Sequence, residues 1–200
     1  MSKRTRPASA QGRPNRKQGA VRIIAGKWRG RRIPVATTAG LRPTPDRVRE
    51  TVFNWLMPTL VGSHCLDLFA GSGVLGWEAL SRGAAKVSFV ERDRLAVQAL
   101  QEQQQSFATD AASILRSEAE TYLQGTPQSF DVIFLDPPYA IALEPLLQQL
   151  LSDWLAPAGV IYVERDSEQA LDRLASLGRL SRRGNAAAVH YGLLERGQGP

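Results

Sequence analysis

From residue 63 onward, short apolar runs alternate with stretches whose apolar residues recur at helical spacing. That alternation predicts a parallel sheet covered by helices on both faces. Strands are expected at 64–69, 86–91, 113–116, 130–136 and 159–164, with helices near 74–82, 93–107, 118–124 and 142–154. Two short closing strands, near 178–183 and 188–195, are joined at Gly184-Asn185, a spacing that suits an antiparallel hairpin. Upstream, two apolar runs, 21–25 and 32–36, flank a turn at Gly26-Lys-Trp-Arg-Gly30 and predict a hairpin with a basic, Trp-bearing tip. Thr44-Pro45-Asp46 supplies a helix cap, a first-turn proline and a first-turn acid. Val48, Val52, Trp55 and Leu56 then follow at helical spacing, and Pro58 is expected to end the helix.

Charge divides the chain differently. Residues 1–60 hold 14 Lys/Arg against 2 acids, whereas the remainder holds 11 against 17, within a formal net charge of +6. A basic front on a mildly acidic body predicts a polyanionic partner, most often nucleic acid. Residues 1–20 are polar and carry two prolines and two glycines, so they read as a disordered basic arm. The single Cys65 excludes a disulfide framework or a Cys-rich zinc site, and no apolar run reaches bilayer length. Nor do the basic first twenty residues read as a secretory signal. A cytoplasmic setting is expected.

Two segments carry candidate chemistry. Asp67-Leu-Phe-Ala-Gly71-Ser-Gly73-Val-Leu-Gly76 follows the first sheet strand and opens a helix, and Glu91 ends the next strand, placed to accept from ribose hydroxyls. The glycines fit a dinucleotide fingerprint and an S-adenosylmethionine loop almost equally. Two features favour the second. The Asp67 carboxylate would repel a pyrophosphate but attract a cationic ligand, and the start of the helix offers no Lys or Arg for phosphates.

Asp136-Pro137-Pro138-Tyr139 ends the apolar strand Val132-Ile-Phe-Leu135. A Pro-Pro pair alone is expected about once in 400 positions. An exocyclic amine on a nucleobase is a poor nucleophile because its lone pair is delocalised into the ring. Two acceptors aimed at its hydrogens, the Asp136 carboxylate and the Pro137 carbonyl, would free that lone pair. The prolines fix φ and remove backbone donors, and Tyr139 offers a face on which an extruded base can stack.

With Leu41-Arg-Pro-Thr-Pro-Asp-Arg-Val-Arg-Glu-Thr-Val-Phe-Asn-Trp-Leu56 and Arg22-Ile-Ile-Ala-Gly-Lys-Trp-Arg-Gly30, these motifs resemble the RsmD family of 16S ribosomal RNA guanine-N2 methyltransferases. The helix segment is specific to that family; the glycine loop and D-P-P-Y are shared more widely. The resemblance implies an α/β, Rossmann-like class I methyltransferase fold. Its sheet would have seven mostly parallel strands, one of them antiparallel, with an N-terminal hairpin and helix added. It divides the chain into the arm 1–20, an RNA-contacting extension 21–60 and a methyltransferase domain 61–197. It further implies S-adenosyl-L-methionine as methyl donor and 16S RNA or the small ribosomal subunit as partner; no metal, no membrane and a monomer are expected alongside. Asp67, Phe69, Ala70, Gly71 and Gly73 would line the methionine end of the cofactor, Glu91 and Arg92 the ribose, and Glu118 and Ala119 the adenine, where Glu118 departs from the usual Asp or Asn. Asp136, Pro137, Pro138 and Tyr139 would take the target base. Arg22, Lys27, Trp28, Arg29, Arg31, Arg42, Thr44, Arg47 and Arg49 would meet RNA.

Alternatives from the residues are a DNA adenine-N6 methyltransferase, a non-catalytic RNA-binding assembly factor and a nicotinamide oxidoreductase. Cys65, Trp55, Trp77 and Trp154 are expected in the core, and neither His64 nor His190 has partners at metal-ligand spacing.

Overall fold

A computed structural model describes residues 19–35 and 45–197. Most of the basic arm, together with Arg42 and Thr44, lies outside the described residues. The hairpin is β1 (Gly19–Arg22) and β2 (Arg32–Val35), so Gly19 and Ala20, assigned above to the arm, pair with Val35 and Pro34. Helix α1 (Asp46–Leu60) follows, and then β3 (His64–Asp67), α2 (Val74–Ser81), β4 (Lys86–Glu91), α3 (Arg94–Phe107) and β5 (Ala112–Arg116). The second half runs α4 (Ala119–Leu123), β6 (Phe130–Leu135), α5 (Glu144–Gln149), β7 (Leu155–Arg165), α6 (Glu168–Arg173), β8 (Arg179–Ala186) and β9 (Val189–Glu195). Among the described residues, no helix is long and apolar enough to cross a membrane.

The sheet order is β5-β4-β3-β6-β7-β9-β8, and β9 alone runs antiparallel to its neighbours. The order reverses between β3 and β6. Such a switch point opens a crevice at the carboxyl ends of the strands. Two apolar layers cover the sheet. One joins Phe53 of α1, Trp77 of α2 and Leu100 and Phe107 of α3 to the hairpin residues Ile23, Trp28 and Ile33. The other joins Leu123, Leu147 and Leu171 of α4, α5 and α6. Trp77, Trp154 and Cys65 are buried as expected, and Trp55 is half-buried against Tyr191.

Several local expectations are corrected. Helix α1 continues through Pro58 to Leu60. A proline there forfeits the bond to the Asn54 carbonyl, but both residues are exposed, so water can take that bond while Leu60 stays buried. The closing turn is not Gly184-Asn185: pairing runs on to Ala186 and Val189, with Ala187 left-handed at φ 52°. Gly184 instead sits opposite Tyr191, where a Cβ would come within 2.7 Å of the ring and hydroxyl. Helix α6 was not anticipated; its signal is Ser167, whose hydroxyl accepts from the Ala170 N–H at 3.3 Å.

A buried ion network fastens the N-terminal extension to the domain. Arg49 is fully buried and donates to Asp46 at 2.7 Å, to the Arg22 carbonyl at 3.0 Å and to Glu78 at 3.4 Å. Glu78, also buried, accepts from the Ile24 and Ala25 N–H groups at 2.7 and 3.0 Å and from Arg82 at 2.7 Å. Arg49 is therefore not a phosphate contact, because its guanidinium is sealed among these acceptors.

Candidate active site

The loop after β3 is built by its glycines. Gly71 and Gly73 have φ of 51° and 73°, left-handed values that side chains disfavour. At Gly71 an added Cβ would meet nothing within 4 Å, so the loop faces open space there. Gly73 caps α2, and its Cβ would lie 2.4 Å from Leu100. Gly76 lets α2 lie against β4: a Cβ there would strike the Phe89 ring at 2.2 Å.

Two carboxylates brace this loop from below. Glu91 accepts the Gly71 N–H at 2.7 Å and the Asp93 N–H at 2.8 Å. Asp67 is buried and accepts the Gly76 N–H at 3.2 Å. Burial, with a smaller push from the Glu91 charge, raises the Asp67 carboxyl to about 7. Phe69 is half-buried and Ala70 buried, with the Ala70 N–H bonded to the Val90 carbonyl at 3.0 Å. At the end of β5, the Ser117 N–H bonds to the Glu91 carbonyl at 3.1 Å, Glu118 pairs with Arg92 at 3.5 Å on the surface, and Ala119 is buried. The sequence-derived cofactor residues thus share one rim formed by the ends of β3, β4 and β5.

Asp136 follows β6 immediately, beside β3 across the switch point, where the register opposes Asp67 to Phe134. Burial and the charges of Glu164 and Asp67 push its carboxyl well above the usual range, and Arg165 offsets this only in part. Pro137 is buried and Pro138 exposed; the Pro138 carbonyl accepts the Ile141 N–H at 2.9 Å and closes the turn. The Tyr139 ring is 45% exposed, free to receive a flat partner. Sequence reasoning missed three buried neighbours at the end of β7: Tyr162, Glu164 and Arg165. An acid closing the strand next to that of Asp136 was the available signal.

The basic residues fall into different places. Trp28 is not an RNA contact: only 8% exposed, it stacks on Phe107 with centroids 4.2 Å apart and meets Trp77 edge-on at 6.2 Å. Arg31 lies over Phe107 and donates to Ser106 at 2.7 Å, and Arg22 pairs with Asp46 at 3.1 Å. Lys27 and Arg29 are exposed at the hairpin tip, but the Lys27 N–H binds the Ser81 carbonyl at 2.8 Å. That anchors the tip at the far end of α2 from the glycine loop. Arg47 is exposed on the first turn of α1, whose chain direction into β3 sets this turn toward the carboxyl ends of the strands.

Comparison with known proteins agrees with this architecture. The model of the family described as conserved hypothetical protein 95 matches residues 21–194. The chain is 44% identical over 182 residues to ribosomal RNA small subunit methyltransferase D of Escherichia coli K12, covering 89% of this chain and 91% of that protein. It is 48% identical over 165 residues to the protein of the same name from Haemophilus influenzae, covering 79% and 84%. The solved structure of Escherichia coli YhhF matches with a TM-score of 0.82 at 40% identity, covering 90% of this chain and 99% of that one. With a glycine cradle, two bracing carboxylates and Asp-Pro-Pro-Tyr at the switch point, and with this extent of similarity, the chain belongs to the conserved hypothetical protein 95 family, the RsmD family of class I methyltransferases.

Proposed function

We propose that the chain methylates the exocyclic N2 amine of a guanine in small-subunit ribosomal RNA. The broader activity, S-adenosylmethionine-dependent methylation of ribosomal RNA, follows from family membership and from relatives that bear that name. The observation that carries the finer reading is the pairing of a half-buried Asp136 with an exposed Tyr139 ring, across the switch point from the glycine loop.

The residues of the rim fit the donor. Two carboxylates under an open glycine loop suit a cationic ligand with ribose hydroxyls, and the absence of Lys or Arg from α2 argues against a pyrophosphate. Asp67, Phe69, Ala70, Gly71 and Gly73 would hold the methionine end, Glu91 and Arg92 the ribose, and Glu118 and Ala119 the adenine. When bound, the donor supplies a methyl group on a sulfonium. Everything else is positioning by the chain. Asp136 and the Pro137 carbonyl accept the amine's hydrogens and turn its lone pair outward, Pro138 keeps the turn rigid, and Tyr139 carries the extruded base. No covalent nucleophile is needed, since alignment of reacting atoms is worth up to about 7–11 kcal/mol. Arg47, with Arg42 and Thr44 outside the described residues, would meet the RNA backbone near the site, and Lys27 and Arg29, at the far end of α2, would meet it less closely.

The test incubates the full chain with labelled S-adenosylmethionine and, separately, protein-free 16S RNA and small subunits, followed by nucleoside mass spectrometry. N2-methylguanosine is the expected product. N6-methyladenine in a DNA control, or a methylated nucleoside other than guanosine, overturns the reading.

A further inference from the structure

Strand β8 forms one edge of the sheet, and its three arginines are placed unequally. Arg179 pairs with Glu195, and Arg183 pairs with Asp172 at 3.4 Å and Glu168 at 3.7 Å. Arg182 is exposed and meets no acid among the described residues; its guanidinium donates to the carbonyl of Ser181 beside it, at 3.2 Å. A bulge between Leu180 and Arg182 sets Arg182 opposite Leu193, and Gly184 then stands opposite Tyr191. Leu193 and Tyr191 both belong to the apolar layer that includes Phe53 of α1, so Arg182 lies on the α1 side of the sheet.

On α1, Arg47, Thr51 and Trp55 recur every fourth residue and form one stripe. Arg47 is exposed, Thr51 and Trp55 are half-buried, and the Trp55 ring leans on Tyr191 with centroids 5.6 Å apart. That contact carries the stripe alongside β8. Of the acids on α1, Asp46 is engaged by Arg22 and Arg49, and Glu50 lies off the stripe. Because β9 runs antiparallel to β7 with Tyr191 opposite Glu164, the β8–β9 turn is level with the D-P-P-Y loop. The shelf between α1 and β8 thus begins at the mouth of the site and runs back from it for about 12 Å between Arg47 and Trp55.

We propose that this shelf binds the RNA strand adjoining the target guanine: Arg47 and Arg182 meet its phosphates, and a base beside the extruded one packs on the exposed part of the Trp55 ring. This deepens the ribosomal RNA methyltransferase reading and rests on it. A base taken out of its stack remains covalently joined to the strand, which must leave the site over the surrounding surface. Extrusion also costs the neighbouring bases their stacking, and an aromatic ring between two cations offsets that loss. The charge on the shelf suits a polyanion that is already present at the mouth.

The experiment measures the affinity of the full chain for protein-free 16S RNA and for small subunits over a series of salt concentrations. Arg182→Ala, Arg182→Lys, Arg183→Ala and Trp55→Phe are compared with the unmodified chain. Arg182→Ala should reduce the salt slope by about 0.7 and weaken binding about threefold or more, and Arg182→Lys should restore both. Arg183→Ala removes the same charge from the opposite face of β8 and should have little effect. Trp28, Trp77 and Trp154 are buried, so quenching of tryptophan fluorescence by RNA reports Trp55. Trp55→Phe, which keeps an aromatic ring against Tyr191, should remove most of that quenching. Unchanged binding in Arg182→Ala, or equal losses in Arg182→Ala and Arg183→Ala, overturns the proposal, as does quenching that persists in Trp55→Phe. A loss on small subunits with none on an RNA that the unmodified chain binds would assign the shelf to a ribosomal protein and overturn it too. Failure of the unmodified chain to methylate guanosine is a different outcome and defeats the underlying reading instead.

Discussion

Glu78 is fully buried and Asp136 half-buried, and the charges around the two acids are opposite. Glu78 receives two arginines and two backbone N–H groups. Among the described residues, the charges acting on Asp136 are those of Glu164 and Asp67, which raise its carboxyl after burial does, and that of Arg165, which lowers it. A buried charge that is matched on every side joins parts of a fold. One that is left with like charges stores a demand for a proton or a cation, which a substrate can meet. The extension is fastened by the first arrangement, and the chemistry belongs to the second.

The sharpest way to break this contrast is at Glu78. Glu78→Gln takes from Arg82 its carboxylate partner and from the buried Arg49 the second of its two carboxylates, and should cost about 3–5 kcal/mol of stability, read from chemical denaturation. Methyl transfer per folded molecule should survive; its loss with unchanged stability would make Glu78 part of the site. Trp28→Ala comes next, with an expected loss of about 3–5 kcal/mol from opening the layer shared with Phe107 and Trp77. RNA affinity of the folded fraction should hold, because the ring is not available to a base.

Asp67 sharpens the comparison from the cofactor side. Its carboxyl is raised to about 7, so the folded chain holds a proton there that the unfolded chain has already lost. Its ionisation therefore weakens the ligand-free fold progressively from about pH 4 to about pH 7. Asp67→Asn should remove that dependence and raise stability at pH 8. A cationic ligand favours the ionised form, so affinity for S-adenosylmethionine in the unmodified chain should fall as pH drops below about 7 and be weaker, with a flatter profile, in Asp67→Asn. Calorimetric titration at several pH values checks both.

The smallest expected effect is at the surface. Arg47→Ala should reduce the salt slope of RNA binding by about 0.7 for one phosphate contact on a single strand. Lys27→Ala and Arg29→Ala should change it less, since the hairpin tip lies at the opposite end of α2 from the glycine loop. Equal effects at all three positions would place RNA along the whole length of the extension.

The alternation of strand and helix was legible because parallel strands buried on both faces are written as apolar runs, and β4 matched its expected limits at Lys86 and Glu91. The two loops at the strand ends were legible for a related reason. Gly71, Gly73 and Asp136-Pro-Pro-Tyr139 have local backbone demands that few other residues meet. What escaped was set by partners distant in the chain. Lys27 and Arg29 around Trp28 suggest a nucleic-acid contact, and only Phe107, folded against it, turns that ring into core. Arg49 looked like one more cation in a basic helix until Glu78 enclosed it. Glu164 was visible as a strand end, but its nearness to Asp136 depends on the β6–β7 register, which no local pattern records. The turn at Ala187 was hidden because Gly184, the stronger turn signal, is needed opposite Tyr191.

Asp136→Asn keeps the shape of the side chain while removing its charge, so single-turnover methyl transfer to the small subunit and thermal unfolding can be read from one preparation. N2-methylguanosine formation should fall by about 100-fold or more, with cofactor affinity kept and the melting temperature unchanged or higher, because a like-charge conflict has been relieved. A variant that still methylates at close to the original rate, or one that loses activity only because it unfolds, would contradict the role of Asp136.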